Sequence, residues 1–391
     1  MTASRRARRR QERAPEGAVL SGRVVVARRS GAQVDVALEV ARGETLAILG
    51  PRGAGLSTLL GAIAGSVPLT GGELRIGEQR VSRRRRVAPK RRGTVLVDSD
   101  PRLFPHLTAR ENVAFGMRTR GVSRALARKD ADEWLWRVGL PGLGDRRPRD
   151  LDDEQRLRAA LARAFAARPQ IVLLDDPVAG LEPGPAADVR ALLHDMLVGT
   201  HATAVVAVHE AVDAVAVASR VVVVEDGRIS QKGDLRHVLA RPATPFVARA
   251  SGLNRLRGTA DRGGWVAESF GVPVRLDSAE PGPAPRDGEP IVAVFRPADA
   301  QIARAEEETW TGALRVVRGA DEIDQNPEPG RWLARVERIE PAPGGALVHV
   351  AQPELAVDIP SAQLAALGIR RGDPVHVWVP AEAVRLIPAT S

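Results

Sequence analysis

The run ETLAILGPRGAGLSTLLGAIAG, Glu44 to Gly65, narrows the possible folds more than any other part of the chain. Its opening is a short continuous apolar segment, the pattern of a strand buried on both faces. Glycines end that segment, and helical spacing begins directly after them. Gly50, Gly53 and Gly55 let backbone N–H groups turn towards one point at a helix N-terminus, where the helix dipole also favours negative charge. Gly50, Gly53, Gly55, Leu56, Ser57 and Thr58 are therefore candidate phosphate-binding residues, and Ser57 stands where a hydroxyl would hold Mg²⁺. The general pattern, G-x-x-x-x-G-K-[ST], has lysine where this chain has Leu56.

Strand-like and helix-like segments alternate from about residue 18 to 246, which predicts an α/β domain. QIVLLDD and TAVVAVHE read as buried parallel strands. Asp175 closes the first of these, a position that sets a carboxylate beside a phosphate-bound metal. Near Arg241 the texture changes to RPATPFVARASGLNRLRG, a proline-broken tract that predicts a linker over 247–256. Beyond it VAVFRP, ARVERIEP, GALVHVA, LAVDIP and PVHVWVP alternate and are punctuated by Gly and Pro, predicting a small β-barrel over 257–391.

Composition limits the partners. With 391 residues, 44% of them apolar, the chain has material for two or three cores. No apolar run reaches the 18 residues of a membrane span, and no signal-peptide pattern follows the N-terminus, so a cytoplasmic address is expected. The absence of cysteine excludes disulfides and thiolate chemistry. The net charge of +9 is concentrated in the six arginines of residues 1–13 and in the stretch Arg83 to Arg92. Two separate clusters do not make the continuous stripe that nucleic acid requires, so no nucleic-acid partner is expected. The expectation is a disordered basic tail over 1–17 and a solvated loop, with anionic lipid as a contact open to the tail.

Three further segments follow the glycine loop: LFPHLTARENVAFG from Leu103, LDDEQRLRAALARAFAARPQIVLLDDP from Leu151, and VHEAVDAVAVASRVVVVEDGRISQKG from Val208. In this order and wording they resemble the nucleotide-binding subunit of an ABC transporter of the importer type, over nearly the whole chain. The resemblance implies a P-loop NTPase-type domain over 18–246 with a helical subdomain at about 100–165. FRPADAQI, GRWLARVERIEP and AALGIRRGDPVHVWVPAEAV make the C-terminal, OB-like barrel similar to the accessory (TOBE) domain of molybdate- or sulfate-type importers. The implied cofactors are ATP and Mg²⁺. The implied partners are membrane permease subunits, met through the helical region from Leu103 to Gly139, and a second ATP-binding subunit in a homodimer or heterodimer. Such a subunit would lie on the inner face of the cell membrane and energise uptake of molybdate or a related oxyanion. Trp134 and Trp136 are expected to serve packing, with docking as the alternative.

Several site positions depart from the family pattern. By the resemblance Asp175, Asp176 and His209 are the catalytic set, with Asp176 in place of the family's glutamate and His209 as the residue that senses the terminal phosphate. Ser57 and Asp175 hold the metal, and Ser99 occupies the position of the loop glutamine. The signature serine and glycines, which face the nucleotide of a partner subunit, are replaced in the stretch Asp152, Asp153, Glu154 and Gln155. Two like charges about 4 Å apart repel by roughly 4 kcal/mol at an effective dielectric near 20, so this stretch is expected to oppose a polyphosphate. The stacking aromatic maps near Ala32 or Gln33, and Glu182 stands where aspartate is usual. With loop and signature both altered, either composite site of any dimer would be compromised. Weak ATP binding and low or absent hydrolysis follow, with a pseudo-ATPase that serves a permease or a second ATPase subunit as the alternative.

Overall fold

The computed structural model describes residues 17–27, 33–269, 272–279, 285–305 and 330–389. Most of the basic tail, Ala32 and Pro329 lie outside them. The chain forms two compact units, one ending at Val238 and the other beginning at Leu239. The segment 247–256, expected as a linker, contains the end of a short helix, Pro245–Ala250, and the start of a strand, Asn254–Asp261.

The first unit runs β1 (Leu20–Ala27), β2 (Gln33–Val40), β3 (Thr45–Leu49), α1 (Leu56–Ala64), β4 (Gly71–Ile76), β5 (Gln79–Ser82) and β6 (Thr94–Asp98). The helices α2 (Ala109–Arg118), α3 (Arg124–Arg137) and α4 (Asp153–Ala166) follow. The unit then continues through β7 (Ile171–Asp175), α5 (Pro183–Thr200), β8 (Thr203–Val208), α6 (Ala211–Val217), β9 (Arg220–Glu225), β10 (Arg228–Asp234) and α7 (Leu235–Ala240). Ten strands form one mixed sheet in the order β5-β4-β1-β2-β10-β9-β3-β8-β7-β6. The segments β3, β7 and β8 are apolar apart from Thr45, Asp175 and Thr203 at their ends because both sheet faces are covered, and their interior positions are buried.

Register decides where the chemistry falls. Leu49 pairs with Val208, Asp175 with Ala207, and Asp98 with Asp175, all in parallel. Four parallel strands therefore finish together on one sheet edge, as ligand-binding α/β sheets require. Helix α1 leaves that edge with its apolar face in the core formed by Leu59, Leu60 and Ile63 against Leu46, Ile48 and Leu173.

The second unit opens with α8 (Pro245–Ala250) and contains β11 (Asn254–Asp261), β12 (Gly264–Ser269), β13 (Val272–Leu276), β14 (Pro290–Phe295), β15 (Gln301–Arg304), β16 (Arg331–Ala342), β17 (Gly345–Ala351), β18 (Leu355–Pro360), α9 (Ser361–Leu367), β19 (Pro374–Trp378) and β20 (Arg385–Pro388). Its strands pair antiparallel into two five-stranded sheets, β13-β12-β11-β14-β20 and β15-β19-β16-β17-β18. Both sheets share one core built on Trp265, Phe295, Trp332, Val348 and Val377.

A buried arginine closes the far end of α1. Arg92 is 5% exposed and donates to the carbonyls of Ala62 at 2.6 Å, Ile63 at 2.9 Å and Val87 at 3.0 Å. Two of these belong to the last helical turn, whose carbonyls have no partner within the helix. Arg92→Leu leaves them buried and unpaired, so the variant should lose about 2 kcal/mol of unfolding free energy, measured by urea denaturation.

Candidate functional site

Four chain segments meet on the shared strand edge. Gly50 N donates to Val208 O at 3.3 Å as the chain leaves β3. A Cβ at Gly50 would lie 2.3 Å from Val224 O, so only glycine fits between the strand ends. The loop then turns through Ala54 N to Pro51 O at 3.0 Å, with Gly53 at φ 88° and Gly55 at φ 100°. Positive φ at both glycines is what curls the loop into the start of α1.

Leu56 does not enter the loop mouth. It is 3% exposed and belongs to the core cluster, with its Cδ2 3.3 Å from the place a Gly50 Cβ would occupy. The lysine position has thus become a core position beneath the loop. Ser57, one residue on, is exposed, and its hydroxyl lies beside the Asp175 carboxylate and favours its ionised form. Thr58 is half-buried behind it.

Asp175 and Asp176 end β7. Burial is the main cause that raises the Asp175 carboxyl above the ordinary range, and the nearby charge of Asp98 adds to it; the Ser57 hydroxyl and His209 oppose the rise. Asp98 is itself tied to Arg102 at 2.8 Å. The neighbouring Ser99 is exposed in the bend after β6. Asp176 has φ 48°, a left-handed conformation that its short polar side chain tolerates. Burial raises its carboxyl too, countered first by His209 and reinforced by Asp213.

His209 follows β8 and links the segments. Its Nδ1 lies 2.6 Å from Gly50 O, and because a carbonyl only accepts, Nδ1 carries the proton. Nε2 lies 3.9 Å from the Asp176 carboxylate. Arg52, exposed in the loop, adds an attractive charge at Asp176. The structure therefore brings Gly50, Ser57, Asp175, Asp176 and His209 together.

Asp152, Asp153, Glu154 and Gln155 sit apart from that cluster, at the start of α4. Asp152 caps the helix, accepting from Gln155 N at 2.8 Å in a reciprocal capping box. Such a box contributes about 1 kcal/mol to the helix. Asp153 pairs with Arg156, and Glu154 with Arg158 at 2.6 Å. Two of the three carboxylates in this stretch are thus matched by arginines one turn on. The spacing in DDEQRLR carries that signal, since residues three and four apart are neighbours on a helix.

The helical region presents aromatic surface. Trp136 is 71% exposed, so the packing role expected for it does not hold, while Trp134 lies under the Arg137 guanidinium at 5.0 Å. Phe115 is 41% exposed and its ring packs against Phe104 in a tilted arrangement, with centroids 4.7 Å apart and planes at 56°.

Comparison with known proteins agrees with this architecture. Residues 34–179 match the family described as ABC transporter. The chain is 35% identical over 379 residues, 94% of its length and 96% of the relative's, to a molybdenum import ATP-binding protein, ModC, of Mycobacterium tuberculosis. It is 42% identical over 225 residues, 57% of its length and 67% of the relative's, to a sulfate/thiosulfate import ATP-binding protein, CysA, of Nocardia farcinica. Among solved structures, cbiO1 of Clostridium perfringens, part of the ABC transporter complex cbiONQ, aligns with a TM-score of 0.51 and 26% identity, covering 58% of this chain and 92% of that one. The chain belongs to the ABC transporter family, among the ATP-binding subunits of importers.

The raised Asp176 carboxyl gives a test with a defined sign. The folded chain holds this proton more tightly than the unfolded chain, so the resulting stabilisation is complete below the unfolded value, about 3.9, and is lost as pH rises through the folded one. Asp176→Asn, which keeps the left-handed backbone, should raise the melting temperature at pH 7–8. The gain should shrink as pH falls towards about 4.5 in parallel thermal melts.

Proposed function

We propose that this chain is the energy-coupling subunit of an oxyanion importer, molybdate being the favoured cargo, and that it binds MgATP weakly and hydrolyses it slowly. The observation that carries the reading is the placement of the Ser57 hydroxyl beside the Asp175 carboxylate next to the glycine loop. It joins a metal-holding hydroxyl and a carboxylate where a terminal phosphate would rest. The cargo follows from the ModC likeness, which spans 94% of the chain, with sulfate the neighbouring possibility given by the CysA likeness.

The residues present fit the cofactor in part. The loop glycines and the Ser57–Asp175 pair suit a magnesium-bound polyphosphate. Leu56 does not supply the lysine charge, a loss of about 1.5–3 kcal/mol for a charge-assisted contact. Bound MgATP would supply the phosphoanhydride whose cleavage drives transport. The loop amides bind phosphate, Asp176 orients and deprotonates water, and His209, held through Nδ1 to Gly50 O, turns Nε2 towards the same space. Asp176 is one methylene shorter than the family's glutamate, and a 1 Å misplacement costs on the order of a hundredfold in rate. The start of α4 in a second copy, or in another ATP-binding subunit, faces the loop across a dimer. The exposed Phe115, Leu126 and Trp136 on α2 and α3 offer the apolar surface on which a permease docks at the cytoplasmic face of the membrane.

A second reading, a pseudo-ATPase that couples without turnover, is favoured by one observation: Leu56 is committed to the core. Phosphate release separates the two. Slow, magnesium-dependent release that exceeds an Asp175→Ala control supports hydrolysis; release equal to that control selects the second reading. Leu56→Lys, measured without nucleotide, should lose roughly 1.5–3 kcal/mol of stability, because a buried leucine is exchanged for a charged chain that must leave the core.

A further inference from the structure

The strand edge opposite the glycine loop carries a second concave site. There Gly93 precedes β6 and Gln170 precedes β7, joined by Gln170 N to Gly93 O at 2.7 Å. At about 3.3 Å per residue, a five-residue strand such as β7 places this edge roughly 16 Å from the Ser57–Asp175 pair. A cleft of about 560 Å³ opens on it, lined by Arg42, Arg91, Arg120 and Arg168 among others. These arginines come from four separate segments, and Glu78 is the sole acidic residue among the described residues that line the cleft.

Two of the four are positioned by hydrogen bonds. Arg120 Nη1 donates to Arg168 O at 2.6 Å, which holds one guanidinium close to the next arginine. Gln79 Nε2 donates to Arg91 O at 3.2 Å and fixes the backbone from which Arg91 projects. Arg120 also has its pKa lowered, by burial and then by the charge of Arg168, as expected where cations are gathered. Beside the cleft runs the cluster that the nucleotide site leaves unused. Arg83, Arg84, Arg85, Arg86 and Lys90 make no ion pair among the described residues, so they add to the positive field that draws anions in.

We infer that this cleft binds a small anion bearing two or more phosphoryl groups, at a site separate from the ATP loop. Guanidinium groups recognise phosphoryl oxygens through paired, planar hydrogen bonds, and several of them around a cleft select a multiply charged ligand over a single anion. The cleft is half open to solvent and lined largely by polar groups, a setting for a hydrated anion and not for an apolar ligand. Phosphoryl groups of this kind occur in soluble metabolites and in anionic lipid headgroups, and the experiment has an arm for each.

Inorganic pyrophosphate is titrated calorimetrically, without magnesium, into the full chain, the double variant Arg91→Gln/Arg120→Gln, and Ser57→Ala. Sedimentation with vesicles containing cardiolipin, whose headgroup bears two phosphates, against phosphatidylcholine vesicles, is measured in parallel. The expected result is pyrophosphate binding that falls at least tenfold in the double variant and is unchanged in Ser57→Ala. Thermal melts of the double variant should fall only slightly, since both arginines are exposed at the surface and the one hydrogen bond surrendered is that of Arg120 to Arg168 O. Should that variant melt early, Arg91→Lys/Arg120→Lys takes its place, with an intermediate loss expected. Arginine-dependent binding to cardiolipin vesicles alone would keep the site and make a doubly phosphorylated lipid headgroup its source. Binding lost only in Ser57→Ala, binding insensitive to both arginines, or no binding of either probe would overturn the inference.

Discussion

Everything at the candidate site depends on the parallel register that ends β3, β8, β7 and β6 on one edge. That register is enforced by burial. β3, β7 and β8 are covered on both faces, so a slip of one residue would move their apolar side chains away from their neighbours, and β6, the outer strand, takes its register from β7. The consequence is that Gly50, Asp98, Asp175 and His209 arrive together although they are spread over 160 positions of sequence, counted from Gly50 to His209 inclusive. The His209 hydrogen bond to Gly50 O then ties loop and strand end to one another, and Ser57 lies beside the Asp175 carboxylate.

Within that frame the site is short of positive charge where a triphosphate needs it. Leu56 strengthens the core beneath the loop and removes a cation from above it. Asp175, Asp176 and Asp98 gather three carboxylates near one edge, and burial raises the first two. Their compensation is local: Arg102 meets Asp98, while His209 and Arg52 act on Asp176. A magnesium ion would meet the same need, which is why nucleotide binding here should be tied closely to the metal.

Much of this was readable in the sequence because it rests on short-range pattern. The apolar run into glycines fixes a strand, a turn and a helix in order, and QIVLLDD places a carboxylate at a strand end. The family wording then supplied the partners of those pieces. What could not be read is what side chains do after packing. Leu56 announces a missing lysine, yet only the folded core reveals that the side chain has become structural. The acidic character of Asp153 and Glu154 is plain in the sequence, and the folded helix adds that Arg156 and Arg158 are paired with them. Trp136 looked like core material from its type alone, and its exposure follows from the helix face it falls on. The arginine cleft was out of reach for another reason: its four members, Arg42, Arg91, Arg120 and Arg168, come from separate connections and meet only through the topology of the sheet.

The most direct test of the central claim, that a complete phosphate cradle here lacks its cation, is calorimetric titration of ATP into the full chain and into Leu56→Lys, each with and without magnesium. Weak, magnesium-dependent binding that tightens at least tenfold in Leu56→Lys, equivalent to about 1.4 kcal/mol, is the predicted result. Tight binding by the parent chain that ignores both magnesium and the substitution would contradict it.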